Sequence, residues 1–189
     1  MSQIAILLLA RPPYLYRMQT QPIYDIDSTA AELLQLIDSF DQSSFNTVPF
    51  QGSWTPGQVA EHLLLSTAGI AKAVIGKTEP TQRDPAQFVA PLRDAFLDFS
   101  TKMKSPDFII PSEDPKDKTS LISELSEAWH TIAAAAKTQD LTATCLDFKF
   151  PTLGFVTRLE LISFGVVHTK RHIWQLKNIA ASIYAPHRS

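Results

Sequence analysis

The sequence predicts an all-α domain, a four-helix bundle whose helices are joined by long crossover connections. Two observations lead to this fold class. Four segments place apolar residues three and four positions apart, which is the spacing of one face of an α-helix. Two connections between them are too long for tight turns, yet too apolar for disordered linkers. Helices that each carry one apolar stripe bury it economically against one another, as in a bundle.

The composition suits a single globular domain. The chain has 189 residues, of which 44% are hydrophobic and 19% are charged, and a domain usually has roughly 100–200 residues. The formal net charge is −2 and no run of Lys or Arg exceeds two residues. Nucleic acids and anionic membrane surfaces are therefore not expected partners, because binding them requires clustered cations. No apolar run approaches the roughly 20 residues of a membrane span.

The single cysteine, Cys145, cannot form an internal disulfide, and the chain is therefore expected in the cytoplasm. The first residues contain the short apolar run "IAILLLA", but no basic region precedes it as in a signal peptide. We interpret residues 1–26 as an N-terminal extension and Met18 as the native start. Residues 27–181 form the predicted bundle domain, and residues 182–189 a C-terminal tail.

The first and third helices are predicted from their apolar stripes, at about 27–45 and about 119–137. Leucine, isoleucine and aromatic residues recur at helical spacing in both segments. Short polar residues that could cap each helix stand at the predicted starts: Asp27 or Ser28 in the first, and Thr119 or Ser120 in the third.

The second helix has the clearest predicted start. Thr55 is a favourable N-cap, Pro56 suits the first helical position, and Gln58 completes a capping box. Gly76 is predicted to end this helix. The fourth helix is predicted at about 157–181.

The connections carry further structure in this prediction. A short helix is expected at about 91–102, within a proline-rich crossover between the second and third helices. In the same crossover, "DFIIP" could serve as a lid or plug over a site. The connection "CLDFKFPTLGF" is expected to be extended and to pack over one end of the helices.

Three histidines lie on apolar stripes. His168 and His172 are four residues apart, so their rings project from the same side of the fourth helix. His62 lies on the corresponding stripe of the second helix. Small residues stand near them: Gly165, Ser66 and Gly69. Because a buried imidazole is costly unless its nitrogens have partners, each ring needs either a local hydrogen bond or a shared ligand such as a divalent metal.

Three segments together resemble the DinB-like superfamily: "GSWTPGQVAEHL", "MKSPDFIIP" and "LGFVTRLELISFGVVHTKRHIWQLKNI". The resemblance spans about 27–181. Members are four-helix bundles with three histidines around a divalent metal ion, one on the second helix and an H-x-x-x-H pair on the last. The resemblance implies that His62, His168 and His172 are metal ligands here. It leaves the ion open among zinc, nickel and iron, and homodimers are common in the family.

Two kinds of chemistry suit a three-histidine metal site. Thr169 follows His168, so the H-E-x-x-H motif of helical metalloproteases is absent. The metal could activate water in a hydrolase, or a low-molecular-weight thiol in a transferase, as in some DinB-like relatives. In both cases the expected partner is a small-molecule substrate. The alternative is a non-catalytic metal-binding module or stress-related sensor. No catalytic residue is assigned.

Roles are also expected for several neighbouring residues. Glu61 is expected to point away from the histidine stripe, into solvent or behind the ligands. Arg171 is expected to anchor a loop or a carboxylate, and Gln175 either to orient an imidazole or to be exposed. Trp54 is expected to pack the turn before the second helix. Cys145 is expected in a packed connector rather than as a nucleophile.

Overall fold

Four long helices form the body of the computed structural model, which describes the backbone of residues 13–185 and the side chains of residues 25–185. The four helices are α1 (Pro13–Asp38), α3 (Pro56–Val74), α5 (Lys118–Thr138) and α6 (Arg158–Ile183). Helices α1 and α3 each pack against both α5 and α6. The predicted bundle is therefore present.

Shorter elements occupy the connections. Helix α2 spans Gln42–Phe45, α4 spans Val89–Leu97, and a 3-10 turn covers Asp107–Ile109. Helix α4 packs against α6 and so covers part of the last helix of the bundle.

A small antiparallel sheet is also present, and the prediction of a purely all-α fold is wrong in this respect. It consists of β1 (Thr78–Glu79), β2 (Thr144–Phe150) and β3 (Gly154–Thr157), with β2 in the centre. The connection expected to be extended supplies β2 and β3. Its alternating apolar side chains suit strands, and β1 after α3 provides the third partner.

The predicted capping box of α3 is confirmed. The Thr55 side chain accepts from the Gln58 backbone N–H, and the Gln58 side chain accepts from the Thr55 N–H, each at 3.0 Å. An equivalent box opens α6, where the prediction placed only a helix start: the Thr157 hydroxyl accepts from Glu160 N–H, and the Glu160 carboxylate accepts from Thr157 N–H.

Other predicted boundaries need correction. Neither Asp27 nor Ser28 caps α1, because helical backbone runs through both residues from Pro13. The segment also does not continue unbroken to residue 45, because Asp41 caps α2 separately. Asp117, not Thr119 or Ser120, caps α5 by accepting from Ser120 N–H at 2.7 Å. Helix α4 ends at Leu97, five residues before the predicted end at 102.

The interpretations of the chain ends fall partly outside the described residues, although α1 begins at Pro13 within the predicted extension and α6 ends at Ile183 within the predicted tail. Residues 1–12 of the predicted extension and residues 186–189 of the predicted tail lie beyond them. Among the described helices, none combines the length and apolar character needed to cross a bilayer.

The core consists of two apolar clusters. One contains Ile70 and Val74 of α3 together with Ile162 and Val166 of α6. The other contains Val59 and Leu63 of α3, with Ile173 and Leu176 of α6. On α6, His168 and His172 lie between Val166 of the first cluster and Ile173 of the second. On α3, His62 lies next to Leu63 of the second cluster, so packed apolar residues flank the histidines on both helices.

The start of α6 is anchored by a buried carboxylate. Glu160 has no solvent exposure and accepts hydrogen bonds from Arg83 at 2.6 and 2.7 Å. It also accepts from the backbone N–H groups of Phe88 and Thr157, each at 2.9 Å. One side chain thus joins the capping box of α6 to the segment that leads into α4.

We expect Glu160→Ala to lower the free energy of unfolding by about 2–4 kcal/mol, because it leaves several buried donors without an acceptor. Urea denaturation measures this loss. Glu32→Ala is the matched control, since Glu32 forms an exposed ion pair with Lys177 and its removal should change stability little. Equal effects of the two substitutions would contradict this role for Glu160.

Candidate metal centre

The three histidines meet in the interior of the bundle. One ring nitrogen from each of His62, His168 and His172 lies within 4.8 Å of the other two. His168 is in the middle: its Nε2 is 3.1 Å from Nε2 of His62 and 3.1 Å from Nε2 of His172. Ligands bound to a tetrahedral ion at 2.0–2.1 Å are separated by about 3.3 Å, so both spacings are close to those of a zinc-type site. The predicted convergence of the three rings is confirmed.

The opposite nitrogen of each ring faces a protein oxygen. Nδ1 of His62 is 2.7 Å from the carbonyl oxygen of Ile109, and Nδ1 of His172 is 2.7 Å from Oε1 of Gln175. Nδ1 of His168 is 3.3 Å from the Ser66 hydroxyl. Partners of this kind on the outer nitrogen fix the tautomer and orientation of metal-binding histidines.

These partners determine where the protons are. The carbonyl of Ile109 and Oε1 of Gln175 can only accept, so the neutral rings of His62 and His172 donate from Nδ1. Their Nε2 atoms therefore carry lone pairs, and both face Nε2 of His168. A proton on that atom could satisfy only one of the two. At least one buried lone pair lacks a donor within the cluster, which a bound cation would satisfy.

The surroundings keep the imidazoles neutral. Burial is the main cause that lowers the pKa of His168 well below 6.5 and that of His172 to about 3, with further contributions from the neighbouring imidazoles. Burial also lowers the pKa of His62. Neutral imidazole is the form that binds metals, so these rings do not have to lose a proton at pH 7 in order to coordinate one.

Aromatic rings surround the cluster. The Phe164 ring stacks on His168 with centroids 5.2 Å apart, and Phe96 meets the same imidazole edge-on at 5.8 Å. The Trp54 ring lies 5.1 Å from the His62 ring. These apolar walls limit water around the imidazoles, which strengthens electrostatic interactions inside the site.

The comparisons with known proteins agree with this architecture. The family model of the DinB superfamily matches residues 25–176, which include the three histidines. The chain belongs to the DinB superfamily. A comparison with curated proteins found no match.

Among solved structures, this DinB-superfamily chain is similar to YfiT from Bacillus subtilis, with a TM-score of 0.56 and 17% sequence identity over 87% of each chain. That protein is described as a probable metal-dependent hydrolase with an unusual four-helix bundle topology. At this level of identity the likeness concerns the fold.

The small residues near the histidines do not leave empty space beside the rings. A Cβ atom on Gly165 would lie 3.1 Å from the Ile70 side chain, so Ile70 fills the space that the glycine leaves. Gly69 is exposed rather than inward-facing. Only Ser66 contacts the cluster, and it does so through a hydrogen bond rather than by leaving room.

Other expectations are resolved by contacts. Arg171 anchors a loop, because its guanidinium donates to the carbonyl oxygens of Phe96, Asp98 and Thr101. Of the two alternatives for Gln175, the hydrogen bond to His172 is the one observed. Burial raises the pKa of Cys145 to about 11, as expected of a packed thiol rather than a nucleophile.

The roles of the Ile109 carbonyl and of the aromatic rings of Phe96 and Phe164 were not predicted from the sequence. A backbone carbonyl carries no residue-type signal, so only the coordinates reveal it. Phe164 could have been found, because it lies one turn before His168 on the same helix face.

Acid should destabilise the metal-free protein. His168 and His172 have an ordinary pKa near 6.5 when unfolded and stay neutral when folded, so the unfolded state binds more protons as the pH falls below 6.5. Between pH 7.5 and 5.5 we expect the two residues together to remove about 3 kcal/mol from the free energy of unfolding. Urea denaturation at both pH values measures the loss.

Two variants test the origin of this acid sensitivity. His172→Leu should lose about half of the pH dependence. His130→Gln, which replaces an exposed imidazole outside the cluster, should retain it. A free energy of unfolding that does not change between the two pH values in the wild type would show that the cluster is protonated or open to water.

Proposed function

We propose that this DinB-superfamily protein is a divalent-metal-dependent enzyme acting on a small molecule, with His62, His168 and His172 as the metal ligands. The observation that carries the proposal is the buried convergence of three imidazole nitrogens whose opposite nitrogens face protein oxygens. A divalent ion held there would act as a Lewis acid that lowers the pKa of a bound water or thiol.

The charge of the donor set favours an anionic nucleophile. All three ligands are neutral imidazoles, and among the described residues no carboxylate joins the group. Arg171 adds a positive charge close enough to disfavour protonation of His168 and His172. A buried divalent charge without an anionic ligand is costly, so hydroxide or a thiolate at the remaining position would be stabilised.

The protein's own residues support such a reaction by position and by exclusion of water. The Ile109 carbonyl and Gln175 orient His62 and His172, while Trp54, Phe96 and Phe164 form apolar walls beside the imidazoles. No side chain of the cluster is a carboxylate base. A thiol whose pKa is lowered by the ion can ionise without such a base, so the site suits a thiol-dependent transferase. A hydrolase is the other form of the proposal, and YfiT carries that description.

A non-catalytic metal-binding module is the second candidate. It is favoured by the apolar rings beside the cluster and by Ile109, which is only 9% exposed and lies in the loop that contacts His62. If these groups block a substrate from reaching the ion, the ion would have only a structural or sensory role.

Metal binding tests the assignment of the ligands. We expect one zinc or cobalt ion per chain in the untagged wild type, and at least 100-fold weaker binding in His168→Ala, which removes the central ring. His130→Ala is the matched control and should bind as the wild type does. Equal stoichiometry and affinity in all three proteins would contradict the assignment.

Turnover separates the catalytic forms of the proposal from the binding module. The metal-loaded protein is incubated with a panel of cellular thiols and an alkyl or aryl electrophile, and separately with a panel of esters and amides. Accelerated thiol consumption, lost in His168→Ala, supports the transferase, and accelerated hydrolysis supports the hydrolase. No acceleration over the free metal in either panel would leave the binding module as the function.

A further inference from the structure

One stretch of α3 holds the loop that supports His62. The His62 ring lies against the carbonyl of Ile109, and the carboxylate of the preceding residue, Glu61, accepts from the backbone N–H of Ser112 at 2.8 Å. One turn earlier, the Gln58 amide donates to the Ser112 carbonyl at 3.3 Å. Three side chains of one helix thus hold a loop whose backbone carries the oxygen facing His62.

A buried lysine completes this arrangement. Lys116 is 8% exposed, and its ammonium group lies 2.8 Å from the Glu61 carboxylate and also donates to the Ser112 hydroxyl. Its aliphatic stem lies against Gly57, where an added Cβ would stand 2.9 Å from Cβ and Cγ of Lys116. The absence of a side chain at Gly57 therefore lets the lysine approach α3 closely.

Ile109 and Pro111 are the buried apolar residues of this part of the loop, and the residues beside Ile109 are exposed. Phe108 is 63% exposed and Ile110 is 47% exposed, and only Ile109 between them is buried. The Glu61 carboxylate contacts both Ser112 and Lys116, so it restrains the chain that follows Ile109 at two points, beside the Gln58 contact with Ser112. Moving this chain would move the carbonyl oxygen that faces His62.

We propose that Glu61 is a positioning residue for the metal centre: by holding the loop at Ser112 and Lys116, it fixes the Ile109 carbonyl against Nδ1 of His62. His62 then keeps its proton on Nδ1 and directs the Nε2 lone pair at the common point of the three rings. The effect of Glu61 on metal binding rests on the proposed function. Its effect on the position of the His62 proton does not, because that effect exists without metal.

The first test uses the metal-free protein. Nuclear magnetic resonance of protein labelled with nitrogen-15 in histidine reports which ring nitrogen carries the proton. We expect a single Nδ1–H tautomer for His62 in the wild type, and a mixture of tautomers in Glu61→Ala. Glu61→Gln, whose side-chain oxygen can still accept from Ser112, should restore most of the Nδ1–H form. Glu127→Gln, an exposed position on α5, is the matched control and should resemble the wild type.

The second test measures cobalt affinity and the visible absorption of the bound ion in the same variants. We expect about tenfold weaker binding and an altered cobalt spectrum in Glu61→Ala, with smaller changes in Glu61→Gln. Lys116→Gln should weaken binding in the same way, and its combination with Glu61→Ala should add little, because both changes release one restraint.

The outcomes distinguish this inference from the proposed function. A wild-type tautomer and cobalt spectrum in folded Glu61→Ala would overturn the positioning role and leave the metal site intact. Conversely, a wild type that shows the Nδ1–H tautomer but binds no cobalt would remove the proposed function, while the tautomer change in Glu61→Ala would still establish the positioning role.

Discussion

The metal centre depends on the fixed orientation of three buried imidazoles. His62 and His172 each have Nδ1 against an oxygen that can only accept, so both present a lone pair at Nε2. His168 stands between them and can donate to only one. The fold therefore gathers lone pairs at one point of its interior, which is unfavourable unless a cation is present. A site of this kind costs stability in the metal-free protein and regains it on binding.

The bundle meets this constraint by dividing its core. Apolar residues of the two clusters pack α3 against α6 next to the histidines, which fixes the two helices relative to each other where the rings emerge. The crossover between α3 and α5 supplies the oxygen that accepts from the Nδ1–H of His62. This long connection is thus part of the site, because it supplies both the Ile109 carbonyl oxygen and, on α4, the Phe96 ring beside His168.

Sequence reasoning succeeds here where local chemistry determines structure. The capping box of Thr55 and Gln58 follows from residue types at fixed spacing, and so does the common face of His168 and His172. Prediction from the sequence is wrong where an element depends on neighbouring segments or on residues far away in the chain. Asp27 is a good cap, but nothing local ends the helical backbone before it. Likewise, β1 and β2 pair across 60 or more intervening residues, as in Thr78 with Cys145, so neither segment alone indicates the sheet.

X-ray absorption spectroscopy of the zinc-loaded protein directly tests whether His62, His168 and His172 bind the ion. We expect a first coordination sphere with three imidazole nitrogens at about 2.0–2.1 Å. The multiple scattering of the rings would identify these nitrogens as imidazole. A sphere made only of oxygen atoms, or one that keeps the same imidazole scattering after His168→Ala, would contradict the claim that these three rings hold the ion.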